Sequence, residues 1–411
     1  MVPVSNYCRM RSGAVISLGT LISLILLLCF GRLFGWDATW RAFGVTPLQP
    51  PFFDMHVILD YASCAAKGFD AYVPHSCNQD NFNIPPIWLR LGYLGFDGTY
   101  SNWFSITIIA AALAVLVALL KGRSAGNGVL ALAAILSPSV MMGVERGNLD
   151  LLILALVGAA ALIYDERSVG RISWAAAVIS AASALKLFPM FCVAIGVRCN
   201  RRALLFVSVV SVLSLVYLAA IFDDVISIRR NVPTTFILSY GYKAFFLGLD
   251  HLRTEAGLKA FDLADTWLPI TAAIFTLILS AATAVSSFRR GRSFCKITGG
   301  VAGTAFLFGG GIYCGTFFLG TNFIYRLMFL LLCLPQFQDW RSGKSERGAQ
   351  LVERVLYATV LSTLWLNGNA TGHSSFLLVP QLINWLLFFG LAVALMSAFL
   401  NGLLSKALQG G

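Results

Sequence analysis

The stretch MMGVERGNLDLLILAL, Met141 to Leu156, decides how this chain is read. One apolar run ends near Met142 and another begins at Leu149, with Glu145, Arg146, Gly147 and Asn148 between them. The chain on either side is almost free of charge. A charged pair and an amide in so short a turn join two apolar helices. Ionisable groups at membrane depth are costly and usually line a cavity, so this turn is expected to border one.

The flanks of the turn are typical of the whole. Of 411 residues, 58% are hydrophobic and 12% charged, whereas a soluble domain is about half apolar and about one quarter charged. No soluble fold of this size hides so much apolar surface, and the chain reads as an all-α polytopic membrane protein. About twelve spans are expected (10–13 as the range), near 13–35, 100–120, 127–143, 149–164, 172–185, 187–198, 203–222, 267–288, 297–319, 322–337, 353–367 and 374–400. The first apolar run, Ala14 to Phe30, follows Arg9 and Arg11 and shows no small-x-small cleavage site before Trp36. It reads as a signal anchor.

The net charge of +11 does not point to nucleic acid, because of where the cations lie. With the amino terminus inside, Lys121, Arg167, Arg171, Arg198, Arg201, Arg202, Arg289, Arg290 and Arg341 all fall in inner loops, the positive-inside pattern. The chain is treated as a single integral membrane domain over 1–411, with long outer loops at 36–99 and 223–266. Both loops are too long for simple connections and are expected to carry surface helices. FFDMHVILDYASCAAKG suits one, with Met55, Ile58, Leu59 and Ala62 on an apolar face.

Two spans are irregular. Leu149 to Tyr164 extends roughly 24 Å at ~1.5 Å per residue, short of the ~30 Å hydrocarbon core. ALKLFPM interrupts 172–198 at Lys186 and Pro189, and such breaks are tolerated only inside protein or beside a water-filled cavity.

Cys64 and Cys77 are the two cysteines of an outer loop, and a disulfide and two free thiols are both open readings. All four histidines fall on the outer side. His75 and His251 read as solvated; His56, near Asp54, and His373, at the mouth of the last span, are open to proton handling or sugar contact.

Polar groups from distant parts of the chain share the outer ends of spans: Asp54, Glu145, Arg146, Asn148, Lys186, Asn322, Tyr325, Arg326, Asn367, Asn369 and His373. Each has a bland alternative. Asn148 suits an N-cap and Asp150 the first helical turn. Glu145 and Arg146 suit a headgroup pair, and Lys186 can snorkel. Arg229 and Arg230 read as headgroup binders. Arg326 stands about one turn into an apolar helix beside Asn322 and Tyr325, which snorkelling explains less well.

Asp54, after two prolines and two aromatics in PPFFDMHVILD, is the candidate for catalysis. One carboxylate with several cations on an outer face suits sugar transfer from a lipid-phosphate donor. The acceptor hydroxyl needs a base, and the leaving phosphate needs cations. Arg146, Lys186 and Arg326 are the candidates for the phosphate.

The sequence also resembles the C-type polytopic glycosyltransferases, most closely the mannosyltransferase-like proteins of family 87. The likeness rests on Asp54, KGFDAY (Gly68, Asp70, Tyr72), FNIPP (Phe82, Pro85, Pro86), Pro138 with GVERGN, LKLFP and YRLMFLLLCLP, over about 50–335. It departs at Ile84, where Tyr often precedes the proline pair, and at Glu145-Arg146, where Gln is frequent. The resemblance implies a polyprenyl-phosphate hexose donor, a lipid-linked or envelope-glycan acceptor, and an outward-facing site in a bacterial plasma membrane, with Asp54 as base. Asp70, Tyr72, Glu145, Asn148, Asn322, Tyr325 and His373 are then substrate-binding candidates. No cofactor is expected, and no D-x-D-like cluster calls for a metal. Membrane lipids are the remaining expected partners, and the oligomeric state is left open. The alternative is a transporter or flippase for a lipid-linked sugar, although a carrier's site lies near the midplane.

Overall fold

The computed structural model of the chain describes residues 11–73, 77, 82–121, 124–290, 297–342, 347–368 and 378–410. Apolar runs fold as helices because hydrocarbon offers the backbone no other hydrogen-bond partners. In chain order they are α1 (Arg11–Phe34), α2 (Trp36–Ala42), α3 (Phe53–Ala66), α4 (Ser101–Leu120), α5 (Ala125–Ile135), α6 (Pro138–Glu145), α7 (Asp150–Ile163) and α8 (Val169–Leu185). Then come α9 (Arg201–Ala220), α10 (Phe222–Asn231), α11 (Ala244–Glu255), α12 (Leu268–Arg289), α13 (Gly300–Phe317), α14 (Leu334–Ser342), α15 (Arg347–Leu366) and α16 (Leu378–Gly410). Strands β1 (Ser239–Tyr240) and β2 (Asn322–Phe323) pair antiparallel, with Tyr240 opposite Asn322.

Among the described residues, six helical segments are long and apolar enough to cross a membrane: Ser12–Phe34, Gly98–Leu120, Arg201–Ala220, Leu268–Arg289, Gly300–Phe317 and Leu378–Leu403. Helices α5 and α6, bent by 56° across their break, form a seventh if taken together. Pro138 opens α6 and Ser137 before it is extended, which accounts for the bend. The other expected spans take different forms. α7, α8 and the 3-10 segment Phe188–Arg198 are short apolar pieces. The region expected to span 322–337 is β2, a 3-10 segment Ile324–Cys333 and the start of α14.

Packing on α13 buries nearly all of Ile324–Cys333 and one face of Phe188–Arg198. α13 packs against both of them. A Cβ on Gly309 would lie 2.6 Å from the Phe329 carbonyl oxygen, and one on Gly311 would lie 2.6 Å from that of Phe191. Glycine alone admits backbones this close. Ala305 to Phe308 and Leu327 to Leu334 are wholly inside. Leu21, Leu28, Leu215, Phe275 and Ile278 are exposed on the outside of the bundle, as lipid-facing residues are.

α3 buries the face its sequence offers, Met55, Ile58, Leu59 and Ala62, with Tyr61 beside them. Cys64 and Cys77 form a disulfide with a Cα separation of 5.8 Å, so of the two open readings the structure adopts the bonded one.

Candidate active site

The 145–148 turn is a docking point. The Phe52 amide donates to the Glu145 carbonyl at 3.3 Å, and the Asp54 amide donates to the Arg146 carbonyl at 3.1 Å. These bonds fix the first turn of α3 on the end of α6. Gly147 makes the close approach possible. Its φ is +59°, and a Cβ there would meet Ser105 Oγ at 2.1 Å and Phe52 Cβ at 2.9 Å. Left-handed backbone is open to glycine at little cost.

Asn148 is buried and uses both ends of its amide. Its Oδ1 accepts from the Asp150 amide at 2.9 Å, which caps the start of α7. Its Nδ2 donates to Asp54 Oδ2. Capping and orientation of the candidate base are thus done by one side chain. Glu145 is buried as well, with Oε1 accepting from the Leu48 amide at 2.9 Å. Its Oε2 has no partner among the described residues.

Asp150, read from sequence as a first-turn acid, is the centre of the charge network. It is fully buried and ion-paired with Lys186 through Oδ1 and with Arg326 Nε through Oδ2 at 3.3 Å. Arg326 also donates to Asn322 Oδ1 and lies 4.6 Å over the Phe188 ring. Lys186 stands where α8 ends, in extended backbone. Trp88 Nε1 donates to the Leu185 carbonyl at 2.9 Å and holds that end in place. The sequence signal for Asp150 was an acid two residues past a polar turn; nothing in the pattern named its partners.

A cavity of about 400 Å³ opens among these groups, lined by Asp54, Arg146, Asn148, Lys186, Asn231 and Tyr325 with apolar walls from Phe53, Ile58, Phe82, Ile84 and Phe323. The buried Nε of Arg146 has no hydrogen-bond partner among the described residues, and its side chain lines the cavity. Burial pushes the Asp54 carboxyl above the ordinary carboxylate range, against the opposing pull of Arg146, the Asn148 hydrogen bond and Lys186. The site therefore offers one oriented carboxylate and two cations in a cleft with apolar walls.

Of the sequence-based candidates, Asp54, Arg146, Asn148, Lys186 and Tyr325 line one cavity; Arg326, with Asn322, lines a neighbouring cavity and joins the first through Asp150, and Glu145 lies in the turn without lining either. Tyr72 is placed behind the wall: its hydroxyl donates to the Ile84 carbonyl at 2.9 Å and its ring packs against Phe82. Asp70 is exposed and accepts from the Tyr72 amide at 2.9 Å. Asn231, missed in the sequence, ties α10 to that wall by donating to the carbonyls of Tyr72 at 3.2 Å and Phe82 at 2.9 Å. Asn367 is buried between α15 and α16, where it accepts from Asn384 Nδ2 at 3.1 Å. His56 contacts the Gly98 carbonyl at 3.0 Å and Asp60 at 3.2 Å. His75, Asn369 and His373 lie outside the described residues. Among the described residues, no three His, Cys, Asp or Glu side chains group as metal ligands would.

No curated protein and no solved structure matches the chain. The sequence profile of glycosyltransferase family 87 matches residues 87–293, just over half of the 411 residues. The matched region contains Arg146, Asn148, Asp150 and Lys186, while Asp54 and Arg326 lie on either side of it. The chain belongs to glycosyltransferase family 87, a family of membrane glycosyltransferases.

Proposed function

We propose that the chain is an inverting hexosyltransferase of the C-type fold. It moves a mannose-like hexose from a polyprenyl-phosphate donor to a lipid-linked or cell-envelope glycan. The observation that carries this reading is the oriented carboxylate of Asp54 in one cavity with Arg146 and Lys186. The acceptor hydroxyl enters beside Asp54, which takes its proton as the oxygen bonds to the anomeric carbon. The bond from that carbon to the donor phosphate breaks on the opposite face, which inverts the centre. The departing phosphate takes the electron pair and is received by Arg146 and Lys186. Asp150 sets the position of Lys186 and ties it to Arg326, the third phosphate candidate, which stands behind that pair; Asn148 and Tyr325 line the cleft, and Glu145 and Asn322 are further candidates for substrate contact at its edge.

The same reading places the amino terminus in the cytoplasm, the site on the outer face of a bacterial plasma membrane, and 36–99 and 223–266 in outer loops of a single membrane domain. Twelve membrane passages include the short and broken segments. The distribution of cations along the chain supports this orientation. The test is transfer by purified protein from a short-chain polyprenyl-phosphate mannose, with the product's anomeric configuration read by NMR. An inverted product supports the reading. A retained configuration overturns the mechanism. Movement of the donor across proteoliposomes without any transfer would favour a flippase.

A further inference from the structure

Asn231, the last residue of α10, lines the cavity that holds Asp54, Arg146 and Lys186. Its Nδ2 donates to two carbonyls, those of Tyr72 at 3.2 Å and Phe82 at 2.9 Å. Turned over, the amide would set its oxygen against both carbonyl oxygens, so its orientation is fixed. The wall takes the donor end, and the acceptor end is what Asn231 offers the cavity. Among the described residues, nothing donates to its Oδ1. The other polar groups of the cleft differ. Asn148 uses both ends of its amide, one of them on Asp54. Asn83 makes no side-chain hydrogen bond among the described residues, so its amide can turn either way. The Tyr325 hydroxyl can donate or accept. Among the described lining residues, Asn231 is therefore the neutral side-chain acceptor held in one direction. The two carbonyls that hold it belong to KGFDAY and FNIPP, so both sequence motifs converge on one amide.

We propose that Asn231 is a specificity-determining residue for the transferred hexose, its Oδ1 accepting a hydrogen bond from one hydroxyl of that sugar. The inference rests on the transferase reading above and adds a polarity to it: at one carbon the donor sugar must present an O–H. With the phosphate on Arg146 and Lys186 and the anomeric carbon facing Asp54, the sugar ring lies in the cavity that Asn231 lines. Asn231 does not line the neighbouring cavity of Arg326, so its contribution belongs to the cleft of Asp54. The apolar part of this cleft suits the C–H face of a ring, because Phe323 and Tyr325 stack there with centroids 5.5 Å apart. An acceptor already fixed by the wall needs no ordering when the sugar arrives. It also disfavours a sugar without the hydroxyl, because the acceptor then goes unmet.

The test is equilibrium binding to the purified full chain in nanodiscs of neutral lipid. The probes are farnesyl phosphate, farnesyl-phosphate mannose, and analogues of that mannoside with each hydroxyl in turn replaced by hydrogen or by fluorine. Fluorine cannot donate, so both replacements break a bond to an acceptor. In the wild type, one hydroxyl should show both losses, each about fivefold or more, the worth of one hydrogen bond. Asn231→Ala and Asn231→Leu should bind the parent and those two analogues alike. Leucine keeps the volume of the side chain, so a folding failure of the alanine variant leaves the comparison intact. Tyr72→Phe loosens the same wall by releasing the Ile84 carbonyl and leaves the two bonds of Asn231 in place; it should keep the preference. Losses that vanish in Tyr72→Phe as well would assign the preference to wall packing and overturn the proposal. So would losses that persist in both Asn231 variants, a wild type indifferent to every replacement, or a mannoside that binds no better than farnesyl phosphate. No turnover is needed: discrimination without transfer would fault the transferase reading alone, and transfer without discrimination would fault this inference alone.

Discussion

Asp150→Asn isolates what the buried charge network contributes. The substitution keeps the size of the side chain and removes its charge. Lys186 and Arg326 are then left in the bundle, at 12% and 16% side-chain exposure, without the carboxylate that both now contact. Removing one partner from a buried ion pair costs about 3–5 kcal/mol, mostly because the remaining charge is uncompensated. At ~2 °C per kcal/mol, a value for larger domains, the apparent midpoint should fall by roughly 6–10 °C. Intrinsic-fluorescence melting in detergent, at one scan rate for all variants, reads this directly. The double variant Asp150→Asn/Lys186→Met separates charge from packing. With one cation gone, it should recover part of the loss, a coupling of about 1–3 kcal/mol. A midpoint within about 1 °C of wild type, or strictly additive losses, would refute the idea that Asp150 holds these cations in place.

Other consequences are as direct. Gly147→Ala forces an alanine into left-handed backbone, at about 1–2 kcal/mol, and presses its Cβ on Ser105 and Phe52. Both melting temperature and transfer rate should drop, and an unchanged rate would mean that α3 is not held by this turn. Because burial raises the Asp54 carboxyl, a base there is charged, and active, only above its raised pKa. The acid limb of kcat/KM should therefore lie above the ordinary value of about 3.9 for Asp, with activity lost as pH falls through it. Arg146→Gln removes a charge that favours the ionised form, so the same limb should move to higher pH. A limb that stays in place would separate Arg146 from Asp54. The same variant should raise the donor KM, a loss of about 1.5–3 kcal/mol for one charged hydrogen bond, measured by varying donor at saturating acceptor.

How far the sequence carried depends on the range of the interaction. The polar turn at 145–148, the break at Lys186 and the apolar face of α3 are local patterns, set by neighbours a few residues apart, and all three are present in the structure. The same holds for the helical membrane class, which follows from composition. The charge network is different. Asn148 reaches Asp54 over 94 positions, and Arg326 reaches Asp150 over 176. Periodicity contains no term for such pairs, so Asp150 read as an ordinary first-turn acid. The two 3-10 segments were hidden for a related reason. Their composition is that of apolar helices, and what distinguishes them is close contact with the glycine face of α13. Tyr72 shows the converse. It looked like a ligand residue in its motif, yet its hydroxyl is occupied by the Ile84 carbonyl, and it supports the wall instead.

The most direct test of the account is the transfer rate of Asp54→Asn beside its affinity for the donor. Asparagine keeps the shape of the side chain and the reach to Asn148, and it cannot accept the acceptor's proton. Purified wild type and variant would be given a short-chain polyprenyl-phosphate mannose and a membrane lipid extract as the source of acceptor, with labelled product counted over time. The account predicts a fall of about 10²–10⁴-fold in rate, the usual worth of a positioned base, with donor affinity and melting temperature near wild type. Transfer by Asp54→Asn within about tenfold of wild type would contradict the account, because proton removal would then not depend on this carboxylate.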